Sequence, residues 1–597
     1  MKLKKILALT LASAMAFSLI GCGSKTTTNP SVTDTPKATA TETPKSTDAP
    51  EATATPTPEL TEAADLSDII PAETLTLNVY TQLANYEGIQ IGWFGDVMLE
   101  KFNVKLNIIN EGDGVFSTRM ESGDLGDLVV FGNDGDQYKQ AAEKGMLFDW
   151  EDEDLVQNYG PTIVKNMSPA LEKNKKISGG KLYGFGHNVA LNGGSFGDFD
   201  YHPDIRWDLY QQIGSPAINT LEDYVDVLKK MKEICPTSDS GKETYGVSLF
   251  NDWDGNMVMF VKATATNFFG VDEFHFGFYN ADDGSFQDTL ADNGYYLRCL
   301  KFYNTLFQNG LLDPDSMTQG YNGCLEDFQD GGAFFNIFSW MAAPQYNTDE
   351  HIAAGKKMLP VAAKDQDTLV YGLNTNGGNR IWSIGANTKY PELCMAIINW
   401  LTTTEGYLTS EYGPKDLCWE YLSDGSVDLT EFGLQCIMNN QVTMPAPYTG
   451  YWIDGRQQIN NITWDKNTEI LGGVNGQTYN YLYWPRYLSL PVSEVDQSWR
   501  DATQTDSFRE YLSQFTYSIA KAHTYSDSVR SEELDTTWNQ VKDCIKNGSW
   551  KAIYAKTDAE FNEIVAQMKA DAINYGYQQC IEWSANEATL RHAAENK

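Results

Sequence analysis

The chain has 597 residues, 42% of them hydrophobic and 12% aromatic, enough for two or more lobes, each with its own core. Its 44 basic and 81 acidic side chains give a formal net charge of −37. A surface so acidic repels nucleic acid and anionic headgroups, which excludes both as partners, and it disfavours polyanionic ligands unless a local basic pocket opposes it.

In chain order, the first segment is an address. "MKLKK" is a basic n-region and "ILALTLASAMAFSLI" an apolar run of signal-peptide length. That run is short of the about 20 apolar residues a membrane span needs. It closes on "LIGC", Leu19–Cys22, which resembles the lipobox of bacterial lipoproteins. The expectation is a signal peptide over 1–21, cut before Cys22, whose sulfur then carries the lipid; the alternative is a secretory signal followed by a chance cysteine. Several linked acyl chains anchor stably where one chain binds only marginally. Residues 22–73 are dominated by Thr, Pro and Ala, lack aromatics and cannot bury a core, so they read as a disordered tether. Roughly 45 residues at about 3 Å each reach some 130 Å at full stretch. Eight further cysteines are scattered without a C-x-x-C pair, so they carry no metal or redox signature and read mostly as buried thiols. An exported protein leaves one or two disulfides open among them.

The folded part is expected over 74–597. "LTLNVY" alternates as a strand, "GIQIGWFGDVMLEKFN" follows as a helix, "VKLNIIN" is a second strand and "VFSTRMESGDL" a second helix. "GDLVVFG" is a continuously apolar strand of the kind buried in parallel sheets. Alternating strands and helices predict a parallel α/β sheet, with ligand at the carboxyl ends of its strands, here "TQLANYEG" and "GNDGDQ". "KLYGFGHNVALNGGSFG" reads as a strand leaving that sheet, and "PDIRWDLYQQIG" as a helix. "TLEDYVDVLKKMKEIC" keeps apolar residues at 3–4 spacing, with Thr220 as N-cap and Asp223 in the capping-box position. "YGVSLFNDWDGN" predicts a strand ending at Trp253, and "GGAFFNIFSWM" another ending at Trp340. "GGNRIWSIGANT" is a strand, and "YPELCMAIINWLTTTEGYL" a helix. "NADDGSFQD" departs from a calcium loop after Gly284 and reads as a hairpin turn, with no metal assigned.

These segments in this order resemble the extracytoplasmic solute-binding proteins of bacterial ABC importers, family 1, and most closely the LplA-like sugar-binding lipoproteins of Gram-positive bacteria. The residues that carry the resemblance are "SGDLGDLVVFG", "KLYGFG", "RWDLYQQIGSPAINTLEDYVDVLKKMKE", "GGAFFNIFSWM", "WSIGANTKYPELCMAIINWLTTTEG" and "FNEIVAQMKADAINYGYQQCIEW". The resemblance implies a two-lobed α/β fold of the periplasmic-binding-protein kind, with an interlobe ligand cleft and crossing hinge strands. The first lobe would take about 74–186 plus later returning segments, and the second mainly about 187–375 plus C-terminal segments. It further implies an oligosaccharide ligand handed to ABC permease subunits by a monomer on the extracellular face of the membrane. No catalysis and no cofactor follow from it.

A sugar ring offers an apolar C–H face and a rim of hydroxyls, so an indole stacks on the face while Asp, Asn and Arg bond the rim. The resemblance places Trp253, Asp254 and Trp340 on the second-lobe side of the cleft, and Phe131, Asn133 and Asp134 on a first-lobe loop. Asn85 and Tyr86 after the first strand, Asn192 in the Gly-rich crossover, Arg206 and Trp452 complete the candidate ligand-binding set. For each tryptophan the competing reading is core packing, for Arg206 a local ion pair, and for the aromatic cluster around Trp484 and Arg486 the core. Gly193-Gly194-Ser195-Phe196-Gly197 fits G-x-S-x-G, but Pro203 delays the helix that a nucleophile elbow needs. A glycoside hydrolase would need two carboxyls about 5–10 Å apart, which sequence cannot display. A peptide-binding importer component is the nearer alternative.

Overall fold

The computed structural model describes residues 66–596, apart from Asp113 and Gly197. Cys22 and the signal peptide lie outside the described residues, as does the tether up to residue 65. Residues 66–73, expected in that tether, dock on the fold. Leu66 packs against the first-lobe core, and Asn103 Nδ2 donates to Pro71 O at 2.8 Å.

The first lobe is built on a six-stranded sheet in the order Gly88–Ile89, Val104–Asn110, Leu75–Thr81, Leu128–Phe131, Ile381–Ile384, Phe185–Gly186. The three central strands from the N-terminal part run parallel, as their apolar runs predict. Ile381–Ile384 returns antiparallel, so the sheet is mixed rather than parallel throughout. Period-two alternation sorts its side chains between two cores. Leu77, Val79, Leu128 and Val130 face one, where Trp93, Trp382 and Trp464 pack, while Tyr80, Val129 and Phe131 face the other.

The second lobe has a three-stranded antiparallel sheet with Tyr201–Arg206 at its centre, flanked by Phe335–Phe338 and Met358–Pro360. Residues 203–206, expected at the start of a helix, form this central strand instead. The helix is confined to Trp207–Gln212. The β-branched Ile205 and fully buried flanks outweigh the helical spacing of a segment this short. The helices Asp223–Ile234, Met259–Phe269, Tyr295–Gln308 and Glu532–Ile553 contribute to the same large core. Asp223 keeps the expected half of a capping box, its carboxylate accepting from Thr220 N at 3.2 Å. "NADDGSFQD" is a hairpin turn between Gly277–Asn280 and Phe286–Asp288. Gly270 ends the helix Met259–Phe269 with φ +63°, where an added Cβ would sit 2.8 Å from the Asp367 carboxylate.

The chain crosses between lobes through 187–200, 372–380 and 489–493. The first crossing is extended rather than a continuous strand, tied by single bridges from Val189 to Trp464 and from Phe196 to Gly372. Ser195 sits in that extended stretch, its carbonyl accepting from Leu373 N, so no helix follows it and the G-x-S-x-G match is not a nucleophile elbow. A fourth segment, 521–530, touches both lobes. Lys176 Nζ donates to Thr524 Oγ1 at 2.9 Å, Ser526 Oγ to Asp134 O at 3.0 Å, and Arg530 pairs with Asp136 at 3.2 Å. On the second-lobe side Tyr525 bonds Glu587, and His275 meets Asp527 at 3.1 Å. Among the described residues, the eight cysteines carry free thiols, and six of them are buried.

Candidate functional site

Three strand ends of the second lobe meet at the crossing segments. Tyr201 opens the strand that enters from 187–200, Phe338 closes its antiparallel neighbour directly opposite, and Tyr371 closes Asp367–Tyr371 just before 372–380. Their rings continue into a row. Tyr371 lies 6.4 Å from Tyr201, Tyr201 5.6 Å from Phe338, and Phe338 5.0 Å from Trp340. Trp340 lies 6.0 Å from Trp253, which tilts against Tyr321 at 4.5 Å. Large aromatic side chains normally bury most of their surface. Here Trp253 is 46% exposed, Trp340 44% and Tyr371 43%, an apolar strip left open to solvent beside the lobe junction.

The loop that presents Trp253 is held rigidly. Tyr245 and Val247 make single bridges to Ala333 and Leu312, so the expected strand is extended backbone rather than a full sheet member. Beyond it the two acids beside the indole act as clamps. Asp252 Oδ2 accepts from Tyr321 N at 2.8 Å. Asp254 accepts from Met259 N at 2.8 Å and from the Trp550 indole N–H at 2.6 Å. Burial pushes the Asp254 carboxyl above its ordinary range. Asp254 is therefore spent on the protein itself, not free for a sugar hydroxyl as expected. Phe250 supports the indole from below, edge-on at 4.9 Å. Under the loop, Ser248 Oγ lies 2.7 Å from Asp327 and 3.2 Å from Asp313, and Gln319 Nε2 donates to Ser248 Oγ and to Leu249 O. Burial, with the Asp327 carboxylate close by, pushes Asp313 up to about 6.

On the first-lobe side, the loops after Leu75–Thr81 and Leu128–Phe131 are joined by Gly132 N donating to Gln82 Oε1 at 2.8 Å. Asn85 and Asn133 are exposed there, and Tyr86 is half-buried against the core. Asn133 Oδ1 accepts from Gly135 N at 2.9 Å, and Asn85 Nδ2 donates to Gln457 O at 3.1 Å. Asn192 is exposed in the first crossing.

Four expected contacts are placed elsewhere. Phe131 is fully buried and edge-on to Tyr138, a consequence of its register in the apolar strand. Asp134 is 3% exposed and paired with the equally buried Lys173 at 3.2 Å. Arg206 is buried with a two-pronged bond to Asp208 at 2.9 and 2.7 Å and the Tyr346 ring at 4.4 Å. Trp452 is 2% exposed, its indole N–H donating to Tyr412 O at 3.0 Å, which is core packing. Trp484 is likewise core. Tyr371 and Tyr321 were not among the expected residues. For Tyr371 the signal was present, an aromatic closing the strand "DTLVY" just as an indole follows "FNIF"; for Tyr321, inside a polar helix start, there was none. Among the described residues, no group of three or more His, Cys, Asp or Glu is placed to hold a metal ion, and no helix is long and apolar enough to cross a membrane.

The family described as bacterial extracellular solute-binding protein matches residues 92–407, more than half of the chain. The chain belongs to that family. Solved structures with which this solute-binding protein shares its two-lobed fold include the alginate-binding protein AlgQ2 without calcium ion. That match has 17% identity over 89% of this chain and 100% of the other, with a TM-score of 0.59. Another is the substrate-binding protein FusA of S. pneumoniae in complex with kestose, with 16% identity, 87% and 100% coverage and a TM-score of 0.56. A third is an extracellular solute-binding protein from Bifidobacterium longum subsp. infantis, at 12%, 87% and 99%, with a TM-score of 0.55. In sequence, the solute-binding protein is 25% identical to lipoprotein LipO of Bacillus subtilis (strain 168) over 39% of its own length. That match spans 41% of LipO.

Proposed function

We propose that this protein is a surface lipoprotein that captures an oligosaccharide between its lobes and delivers it to the permease of an ABC importer, without chemistry of its own. The observation that carries the reading is the exposed aromatic row at the lobe junction. Open indole and phenol faces in a cleft are what a sugar's C–H face stacks on, and they are costly to leave in water without a ligand. Trp253 and Trp340 are the principal platforms, and Asn85, Asn133 and Asn192 supply hydroxyl partners from the exposed rims. The family membership supports solute capture. The likeness to an alginate-binding protein and to FusA in complex with kestose supports a carbohydrate, and the likeness to a lipoprotein supports the lipid on Cys22. Capture would close the lobes by bending at the crossing segments, and differential affinity for the closed form is what a permease would read.

The test is a glycan panel read by thermal shift, followed by recovery of the ligand. A saccharide at 100 times its Kd adds about 2.7 kcal/mol to native stability and raises the melting temperature. It should be recovered unchanged after prolonged incubation. Reducing ends that accumulate in proportion to protein would make the protein a hydrolase. Stabilisation by oligopeptides in place of glycans would make it a peptide carrier.

A further inference from the structure

The aromatic row limits the ligand in two ways, by its extent and by its charge. Its open faces fall in two groups: Trp340 and Trp253 adjoin at 6.0 Å, while Tyr371 is set apart from them by the half-buried Tyr201 and the buried Phe338. Tyr371 stands at the hinge end, Trp340 in the middle and Trp253 with Tyr321 at the far end. A single sugar covers one of these faces, and a chain of sugars is needed to reach all of them. The edges of the row are acidic. Asp252 stands beside Trp253 and Asp200 immediately precedes Tyr201, while the further acids there, Asp254 and Asp272, are bonded to Met259 N and Trp550 and to Arg591 and Tyr371. Of the cations near these acids, Lys262 is bonded to Glu273 at 2.6 Å, Arg591 to Asp272 at 2.7 Å and Glu595 at 2.9 Å, and Lys466 and Lys546 face Asp198 and Asp543, each at 3.6 Å. Each already has a carboxylate partner.

We propose that the row takes an uncharged, linear oligosaccharide with at least one sugar for each of the exposed faces of Tyr371, Trp340 and Trp253, and that it rejects glycans bearing uronic acid carboxylates. This rests on the carbohydrate reading above. Sugar hydroxyls can donate to Asp252 and Asp200, while a uronate would meet these carboxylates and the strongly acidic protein around them, net charge −37, with like charge. Tyr371 then fixes the length preference, because it is the last open ring before the hinge.

The experiment is calorimetric titration of the purified protein with gluco-, xylo- and manno-oligosaccharides of one to five units, beside oligogalacturonates of the same lengths, at low and physiological salt. Affinity for the best neutral series should rise by about tenfold per unit up to three units and then level. Oligogalacturonates should bind at least about tenfold more weakly, with the gap narrowing as salt screens the repulsion. Tyr371→Ala should abolish the gain from the third unit, so that trisaccharide binds no more tightly than disaccharide, and Tyr371→Phe, which keeps the ring and loses only the bond to Asp272, should retain it. Uronates bound as tightly as neutral chains would overturn the charge selection while carbohydrate capture stood. A monosaccharide bound as tightly as the trisaccharide would overturn the extended row. Failure of both series to bind a protein that unfolds cooperatively would overturn the carbohydrate reading and this inference with it.

Discussion

Trp253 and Trp452 are the same side chain in opposite circumstances, one 46% exposed and the other 2%. Truncating a buried tryptophan typically costs about 3–5 kcal/mol, so Trp452→Ala should lower the denaturant midpoint by an amount in that range. Trp253→Ala should cost clearly less, because nearly half of its surface is in water already; denaturant unfolding of both variants without ligand checks the contrast. Asp134 and Lys173 form a buried ion pair, and removing one partner of such a pair leaves the other charge stranded at a cost of about 3–5 kcal/mol. Asp134→Ala should therefore act on stability and not on affinity, which unfolding and titration of that variant separate. At this scale the sequence was a poor guide. Phe131, Asp134, Arg206, Trp253 and Trp340 stand at strand ends or in loops and Trp452 opens a short 3-10 helix, and residue type with position along the chain does not report exposure. What separated them was the partner each found: Tyr138, Lys173, Asp208 and Tyr412 for the buried four, and solvent for the two platforms.

At the scale of elements, the Trp253 loop and the segment 313–321 behave as one unit, sharing Ser248, Asp313, Gln319 and Asp327. Burial, with the Asp327 carboxylate close by, makes Asp313 hold its own proton up to about pH 6, against the opposing pull of the Ser248 hydroxyl. The folded state therefore binds this proton more tightly than the unfolded chain, whose aspartate titrates near its ordinary value of about 4. Between about pH 4 and pH 6 the native state carries more protons, so this group's contribution to stability falls as pH rises through that window. Asp313→Asn should flatten that fall, measured as the slope of unfolding free energy against pH. The regular elements themselves were largely legible. The apolar run "GDLVVFG", the alternation in "LTLNVY" and the 3–4 spacing in "TLEDYVDVLKKMKEIC" each report burial directly. The misreadings are short and lie where tertiary packing outweighs local pattern: the central strand Tyr201–Arg206, read as the start of a helix, and the bridged segment before Trp253. Pairing to Phe335–Phe338 and Met358–Pro360 decides the first, and no local window contains that information.

For the whole molecule, two sheets with separate cores are joined by three crossings and touched on both sides by 521–530, so the bending proposed above would fall on the crossings rather than in either core. The two-lobed architecture was legible through the family resemblance that the order of segments carries, and the chain's length alone only allowed two or more lobes. The aromatic row was only half legible, because it is assembled from residues 201, 253, 321, 338, 340 and 371, which no single motif contains. The proposed anchoring rests on the N-terminal address. Cys22→Ser should release the protein to the medium or leave its signal uncut, and membrane fractionation reads either result against wild type. The most direct test of sugar capture by the row is a paired titration of wild type and Trp340→Ala with the oligosaccharide that the panel selects, each protein also unfolded by denaturant without ligand. Loss of the stacking face and its buried area should weaken binding by about 2 kcal/mol or more, roughly thirtyfold, with a stability loss well below that of a core tryptophan. Unchanged affinity in a folded Trp340→Ala protein would contradict it.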